Sequence, residues 1–270
     1  MGGAARVLAG AVVVAWSLAP FLWQLVTSLK PVAEIGMLPP LLPSRPTFEH
    51  YAAIFAGYPL LHIIFNSTLV AALTTAGATG IGALAGFALA KLGVRHRGPI
   101  LGGVVAVSML PPIAIVSPLF LAINAAGLRD TLAALVITYV SFSLPLAVWL
   151  MTSFFRSLPD EIYIAARVDG CSALGAFWKV MLPLAAPGLA ATALLVFIFA
   201  WNEFLFALSF TSTPAARTIP VAIALFPGLH EIPWGEVAAA SVVATLPLVA
   251  LAVVFQRRIA EGLTAGAVKG

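Results

Sequence analysis

Glu203 is the residue of this chain best placed to do chemistry. It lies in Phe197-Ile198-Phe199-Ala200-Trp201-Asn202-Glu203-Phe204-Leu205-Phe206, a carboxylate in an apolar run, where charge is costly unless it faces a cavity or a partner. Counted from Pro187 at roughly 1.5 Å per residue, Asn202 and Glu203 stand about 23 Å along a helix. Two readings follow: Glu203 serves a substrate path, or it hydrogen-bonds a neighbouring helix for assembly. Pro111-Pro112 and Pro118 interrupt another apolar run. A helix broken there either lines a protected cavity or is only kinked. The candidates for a substrate path are therefore Trp201, Asn202, Glu203, Pro111 and Pro112.

Other chemistries lack their residues. No Gly-Lys pair occurs anywhere, so the usual phosphate-cradling loop of an ATPase is absent. Neither an H-E-x-x-H helix nor a paired nucleophile and base is present, which excludes the familiar intramembrane hydrolases. His50, His62, His96 and His230 are scattered over loops and segment ends, and Cys171 is the single cysteine. No metal site, internal disulfide, catalytic residue or cofactor is expected on this chain.

The elements that must position these groups are membrane helices. The 270 residues are 61% hydrophobic and 9% charged, with a mean hydropathy of +1.07, whereas soluble domains are nearer one-quarter charged. At about 20 apolar residues per crossing, the spacing predicts six spans, at 7–28, 62–90, 99–123, 131–154, 187–210 and 236–255. The fold class is all-α, a single polytopic domain over 1–270. The first span has a basic start like a leader peptide, but it is longer than a leader's apolar core and has no clear cleavage site. Gly77, Gly80, Gly82 and Gly86 give the second span a helix-packing face.

Lys and Arg fall unevenly between the two sets of loops. Arg6, Lys91, Arg95, Arg97, Arg156, Arg167, Lys179, Arg257, Arg258 and Lys269 lie on one side, against Lys30, Arg45, Arg129 and Arg217 on the other. Basic loops stay inside, so both termini and the loop at 155–186 are expected to be cytoplasmic. The outer segment 30–61 is interrupted by Pro31, Pro39, Pro40, Pro43, Pro46 and Pro59, leaving room for one short helix at 47–55 capped by Thr47. It is a stiff connector on the bilayer or a contact for an external protein.

Within 155–186, Ser157 and Asp160 read as a capping box around Pro159, Gly170 as a left-handed stop, and Ser172 as the cap of a second helix through Lys179, with Pro183 beyond. Ala165-Ala166, Asp169-Gly170 and Leu182-Pro183 resemble the EAA loop of bacterial ABC importer permeases. That resemblance implies that Glu161, Ala165, Ala166, Asp169, Gly170, Phe177 and Pro183 dock a cytoplasmic ATPase. Where the family carries the glutamate that names the motif, this chain has Ile164, with Glu161 one turn earlier.

Asn66-Ser67 and Trp201-Asn202-Glu203-Phe204 resemble the maltose-type sugar permeases. The ending Gly262-Leu263-Thr264 and Gly266-Ala267-Val268-Lys269-Gly270 resembles the second permease subunit of disaccharide importers, including trehalose-type ones. The resemblance implies that the tail at 256–270, through Gly262, Thr264, Gly266 and Lys269, reaches into the ATPase dimer. Its other implied partners are a second homologous permease, two ATPase subunits carrying ATP and Mg, an extracytoplasmic sugar-binding protein and the lipid of a bacterial inner membrane. Nucleic acid is not among them. The function implied is import of a sugar, such as trehalose or maltose, by ATP-driven alternating access. The alternatives are an ABC permease for another small polar solute such as glycerol phosphate, and a stand-alone ion-coupled transporter.

Overall fold

The computed structural model describes residues 3–37, 41–226 and 232–267, with side chains through 255. Pro39, Pro40, His230 and Lys269 lie outside the described residues, and of Arg257, Arg258, Gly262, Thr264 and Gly266 only the backbone is described. No strand occurs among the described residues. The helices are α1 (Gly3–Ser28), α2 (Glu49–Gly57), α3 (Leu60–Lys91), α4 (Arg97–Val107), α5 (Pro112–Ala125), α6 (Leu132–Ser157), α7 (Asp160–Val168), α8 (Ala173–Ala176), α9 (Leu182–Leu184), α10 (Ala186–Asn202), α11 (Leu205–Phe210), α12 (Ile219–Ala224) and α13 (Trp234–Ala267).

Four helices are long and apolar enough to cross a bilayer: α1, α3, α6 and the stretch Trp234–Phe255 of α13. Two bent pairs raise the count to as many as six, Arg97–Val107 with Pro112–Ala125 at 86° and Ala173–Leu184 with Ala186–Asn202 at 79°. The expected third span is thus two helices, broken just before Pro111. Proline lacks the N–H that would continue the ladder and suits a helix start, which is where Pro112 sits. The expected fifth span also stops early, at Asn202 instead of continuing to Phe210.

Two compact units make up the chain. One comprises Met1–Ile64 and Ala222–Val249, the other Phe65–Val221 and Ala250–Gly270. In the first, Ile54, Leu60, Ala239 and Ala240 form a buried cluster flanked by Tyr51, Ile223 and Phe226. Polar groups tie α2 to the end of α1. The Ser28 and Tyr51 hydroxyls are 2.8 Å apart, His50 Nε2 donates to Lys30 O at 2.8 Å, and Thr47 N donates to Leu29 O at 2.9 Å. Thr47 does not cap α2: its hydroxyl accepts from Glu49 N at 3.2 Å, in a turn one residue before the helix, and Phe48 is the N-cap.

In the second unit, α3 and α6 meet backbone to backbone. A Cβ at Gly82 would stand 2.7 Å from Ala147 Cβ, and one at Gly86 would stand 2.7 Å from Thr152 N and 2.8 Å from Met151 C. These two glycines, one turn apart, make the small-residue contact that lets apolar helices approach where burial from water gives no drive. Gly80 faces open space. Above the contact, Ala78, Ala147 and Val196 join α3, α6 and α10. Below it, Ala83, Phe87, Met151 and Phe155 from the two spans enclose Phe177, Met181 and Ala185 from the loop that follows. Phe87 is the hub, with ring centroids 5.7 Å from Phe155, 5.6 Å from Tyr163 and 5.2 Å from Phe177.

The glycine contact makes a paired prediction. Gly86→Ala forces apart backbone atoms that cannot shift alone and should cost about 1–3 kcal/mol. Gly80→Ala, on the same helix with free space, should be neutral or stabilise by about 1 kcal/mol through helix propensity. Thermal unfolding of the two purified variants in one detergent checks it; equal midpoints would remove the close approach from the account.

Candidate functional site

The exposed loop after α6 is a helical hairpin. α7 begins at Asp160 with Pro159 as N-cap and no side-chain capping bond. The capping box expected at Ser157 is not formed, because Ser157 still belongs to α6 and its hydroxyl donates to Phe154 O at 2.7 Å. Fixing the start of α7 falls instead to Lys91, at the end of α3. Its Nζ donates to Leu158 O at 2.6 Å and pairs with the Asp160 carboxylate. The Lys91 ammonium holds Asp160 below the usual carboxylate range.

Gly170 turns the hairpin. Its φ is +85°, in the left-handed region, where a Cβ is strained and glycine is not. Gly170 N donates to Arg167 O at 3.2 Å and Cys171 N to Ala166 O at 3.0 Å, the paired bonds of a Schellman motif. Arg167 Nη1 reaches over to Cys171 O at 2.9 Å. Ser172 caps α8 as expected, its hydroxyl accepting from Gly175 N at 3.0 Å. The second helix then runs on through a π-helical stretch, Phe177–Met181, into α9, past the expected end at Lys179. Wider turns of this kind accommodate a proline such as Pro183, which lacks an N–H and crowds the preceding turn.

The residues singled out in this loop divide by exposure. Glu161, Ala165, Asp169, Gly170 and Pro183 are exposed, while Ala166 is buried and Phe177 is 1% exposed inside the aromatic cluster. Ile164 and Val168 are also exposed, at 57% and 81%. Ile164, Ala165 and Val168 therefore form an apolar strip on the outward face of α7, bordered by Asp160, Glu161 and Arg167, and Phe177 anchors the hairpin to the spans.

Glu203 sits between α10 and α11. Its Oε1 accepts from Phe206 N at 2.9 Å and its Oε2 from Ala207 N at 3.1 Å. Both are first-turn N–H groups of α11, which have no partner within their own helix. A carboxylate there also meets the positive end of the helix dipole. The charge is thus offset by the break it stabilises, and Tyr139, buried on α6, is a further neighbour. Asn202 is exposed and its side chain donates to Ile198 O at 2.8 Å, while buried Trp201 stacks on Phe197 at 5.7 Å.

The two broken segments converge, because α5 packs against α11. Phe120 and Phe210 lie 6.4 Å apart, beside a cavity of about 310 Å³ lined by Val116, Ser117, Phe120, Leu121 and Ser209. Pro111, Pro112, Trp201, Asn202 and Glu203 are not in its lining; they shape the helices that are.

Two polar anchors had no structural role assigned from the sequence. Asp130, at φ +58°, accepts from Ser212 N at 2.7 Å, Thr213 N at 3.0 Å and Thr213 Oγ1 at 2.6 Å. These bonds hold its carboxyl below the usual range. Asn66 donates to Ala215 O at 2.9 Å and Arg217 O at 3.1 Å, and Ser67 Oγ accepts from Ile219 N at 2.8 Å. Asn66-Ser67 stood out only by resemblance. Asp130, in an ordinary polar turn more than 80 residues from its partners, carried no signal.

The family described as "Binding-protein-dependent transport system inner membrane component" matches residues 78–264. The chain is 44% identical over 262 residues to the trehalose transport system permease protein of Mycobacterium tuberculosis, covering 96% of this chain and 94% of that protein. It is 42% identical over 266 residues to the sulfoquinovosyl glycerol transport system permease protein of Agrobacterium fabrum, covering 98% and 93%. Its identity to the trehalose/maltose transport system permease protein of Thermococcus litoralis is 44% over 256 residues, covering 93% and 91%. Among solved structures, a bacterial ABC transporter involved in the import of the acidic polysaccharide alginate matches with a TM-score of 0.80 at 21% identity, over 94% of this chain and 95% of that one. This chain belongs to the family of binding-protein-dependent transport system inner membrane components and has the fold of an ABC importer permease.

Proposed function

We propose that this chain is a transmembrane permease subunit of a binding-protein-dependent ABC importer for a carbohydrate of disaccharide or glycoside size. The observation that carries the reading is the hairpin α7–α9, held by Phe177 against the spans and by Lys91 at its base, with Gly170, Ile164 and Val168 exposed. The substrate class is supported by similarity along nearly the whole chain to permeases named for trehalose, maltose and sulfoquinovosyl glycerol.

In this reading the bent pairs count as spans, giving six, and the excess of Lys and Arg puts both termini and the hairpin in the cytoplasm. Two ATPase subunits engage this hairpin and that of a second permease, and their closure moves the spans. An external binding protein delivers the sugar at the opposite face. The backbone of α13 is helical to Ala267, and the tail beyond the span extends toward the ATPases.

Uptake by the reconstituted complex tests the substrate class. Trehalose, maltose, sulfoquinovosyl glycerol and glycerol phosphate are offered to proteoliposomes with ATP inside. ATP-dependent uptake of a sugar is expected; uptake driven by an ion gradient without ATP would overturn the assignment.

Docking is tested at Gly170. A Cβ there meets nothing within 4 Å in this chain, so Gly170→Val should cost the chain itself only about 1–2 kcal/mol of backbone strain. It should still insert, yet lose ATPase subunits on purification and lose uptake, while Cys171→Ser stays near wild type. Full ATPase retention and transport by Gly170→Val would refute docking at this turn.

Glu203 separates capping from a charge requirement in transport. Glu203→Gln keeps one acceptor for the two N–H groups and should lower the melting midpoint modestly, with about 1–3 kcal/mol lost. Glu203→Ala should lose more. Uptake per assembled complex is expected to persist in Glu203→Gln. Its abolition at normal assembly would assign the charge to the transport path.

A further inference from the structure

Three helix ends meet at the base of the hairpin. α3 stops at Lys91, α4 starts at Arg97 and α6 stops at Ser157. Between them is a cavity of about 370 Å³ lined by Ala90, Lys91, Arg97, Gly98, Arg156 and Asp160. It holds three cations and one carboxylate. Lys91, its side chain 2% exposed, is committed to Leu158 O and to Asp160. Asp160 is thereby neutralised, with Arg97 adding a weaker pull. Arg97 and Arg156 line the cavity, and neither makes a side-chain hydrogen bond or ion pair among the described residues.

Backbone adds to the same sign. α4 begins at this cavity with no side-chain cap, Gly98 offers no side chain to block approach to its N–H, and Pro99 follows. Two guanidinium forks beside an open helix start suit a tetrahedral oxyanion, since arginine pairs with phosphate through two parallel N–H bonds. The position suits it too. The ends of apolar helices lie at headgroup level, and basic pockets between spans are where anionic lipid phosphates are held.

We propose that this cavity binds a phosphate group, presented by the headgroup of an anionic lipid, through Arg97 and Arg156. The site touches α7 only at its first residue, Asp160, and does not depend on which sugar is carried. A bound headgroup would brace the ends of α3, α4 and α6, to which Lys91 and Asp160 fasten the hairpin.

The assembled complex, wild type or with Arg97→Gln and Arg156→Gln together, is placed in nanodiscs of phosphatidylcholine with a minority of phosphatidylglycerol. Retained lipid is counted by native mass spectrometry. Wild type should retain phosphatidylglycerol in preference, and the double variant should lose on the order of tenfold of that preference. Arg97→Lys with Arg156→Lys should retain part of it, which separates charge from misfolding. In a second arm, inorganic phosphate is titrated into complex free of anionic lipid. Phosphate binding that the double glutamine variant abolishes, without lipid enrichment, would keep the site and assign its ligand to solution. Equal phosphatidylglycerol retention by wild type and double glutamine variant, with no phosphate binding, would overturn the proposal.

Discussion

Hydrocarbon offers a backbone no hydrogen-bond partner, and the breaks in this chain are organised by that constraint. At three of them a polar side chain pairs with backbone groups that the helix leaves without a partner. Between α10 and α11 the donors are first-turn N–H groups, and Glu203 accepts from two of them. Around 211–219, Asp130 accepts from Ser212 and Thr213, Asn66 donates to two carbonyls and Ser67 accepts from Ile219 N. At the opposite end Lys91 donates to Leu158 O where α6 gives way to α7. These few polar residues pair backbone groups where the apolar chain bends.

Packing turns those local solutions into one body within the second unit. Because Gly82 and Gly86 bring α3 against the backbone of α6, Phe87 and Phe155 stand close enough to enclose Phe177. The hairpin is consequently fixed at two points of different kind, an aromatic cluster and an ammonium clamp. In the function proposed here, a push on α7 or its Gly170 turn is carried to α3 and α6 through these contacts. A loop tethered only by its ends would absorb the same motion.

The features legible from sequence were those written in local pattern. Apolar length announced the spans, Pro111-Pro112 the break between α4 and α5, Ser172 its own cap and Gly170 the left-handed turn. What failed was also local: Ser157 looks like a cap, but it is the last residue of α6, and Thr47 makes a turn instead of capping α2. The fifth span read as continuous because nothing in Trp201-Asn202-Glu203-Phe204 forbids a helix. Only the folded chain shows the carboxylate satisfying N–H groups ahead of it. Contacts such as Lys91 with Asp160 join residues 69 apart, and a single sequence carries no periodicity that reports such pairs.

The replacement of the motif glutamate by Ile164 has a physical reading once the hairpin is seen. Ile164 and Val168 are four residues apart on one face of α7, 57% and 81% exposed, and Leu174 and Trp178 are exposed on the second arm. Apolar side chains left in water on a loop whose inner face is already packed are a surface waiting to be covered. A glutamate at that position would offer a partner a charge, whose exposed ion pair is worth about 0–1 kcal/mol. A buried isoleucine is worth about 1.5–3 kcal/mol and makes no demand for a matching cation. In the function proposed here, the departure exchanges ionic recognition at this turn of α7 for apolar contact. Charges border that strip: Glu161 stands one turn before Ile164, Arg167 and Asp169 flank Val168, and Lys179 follows Trp178 on the second arm.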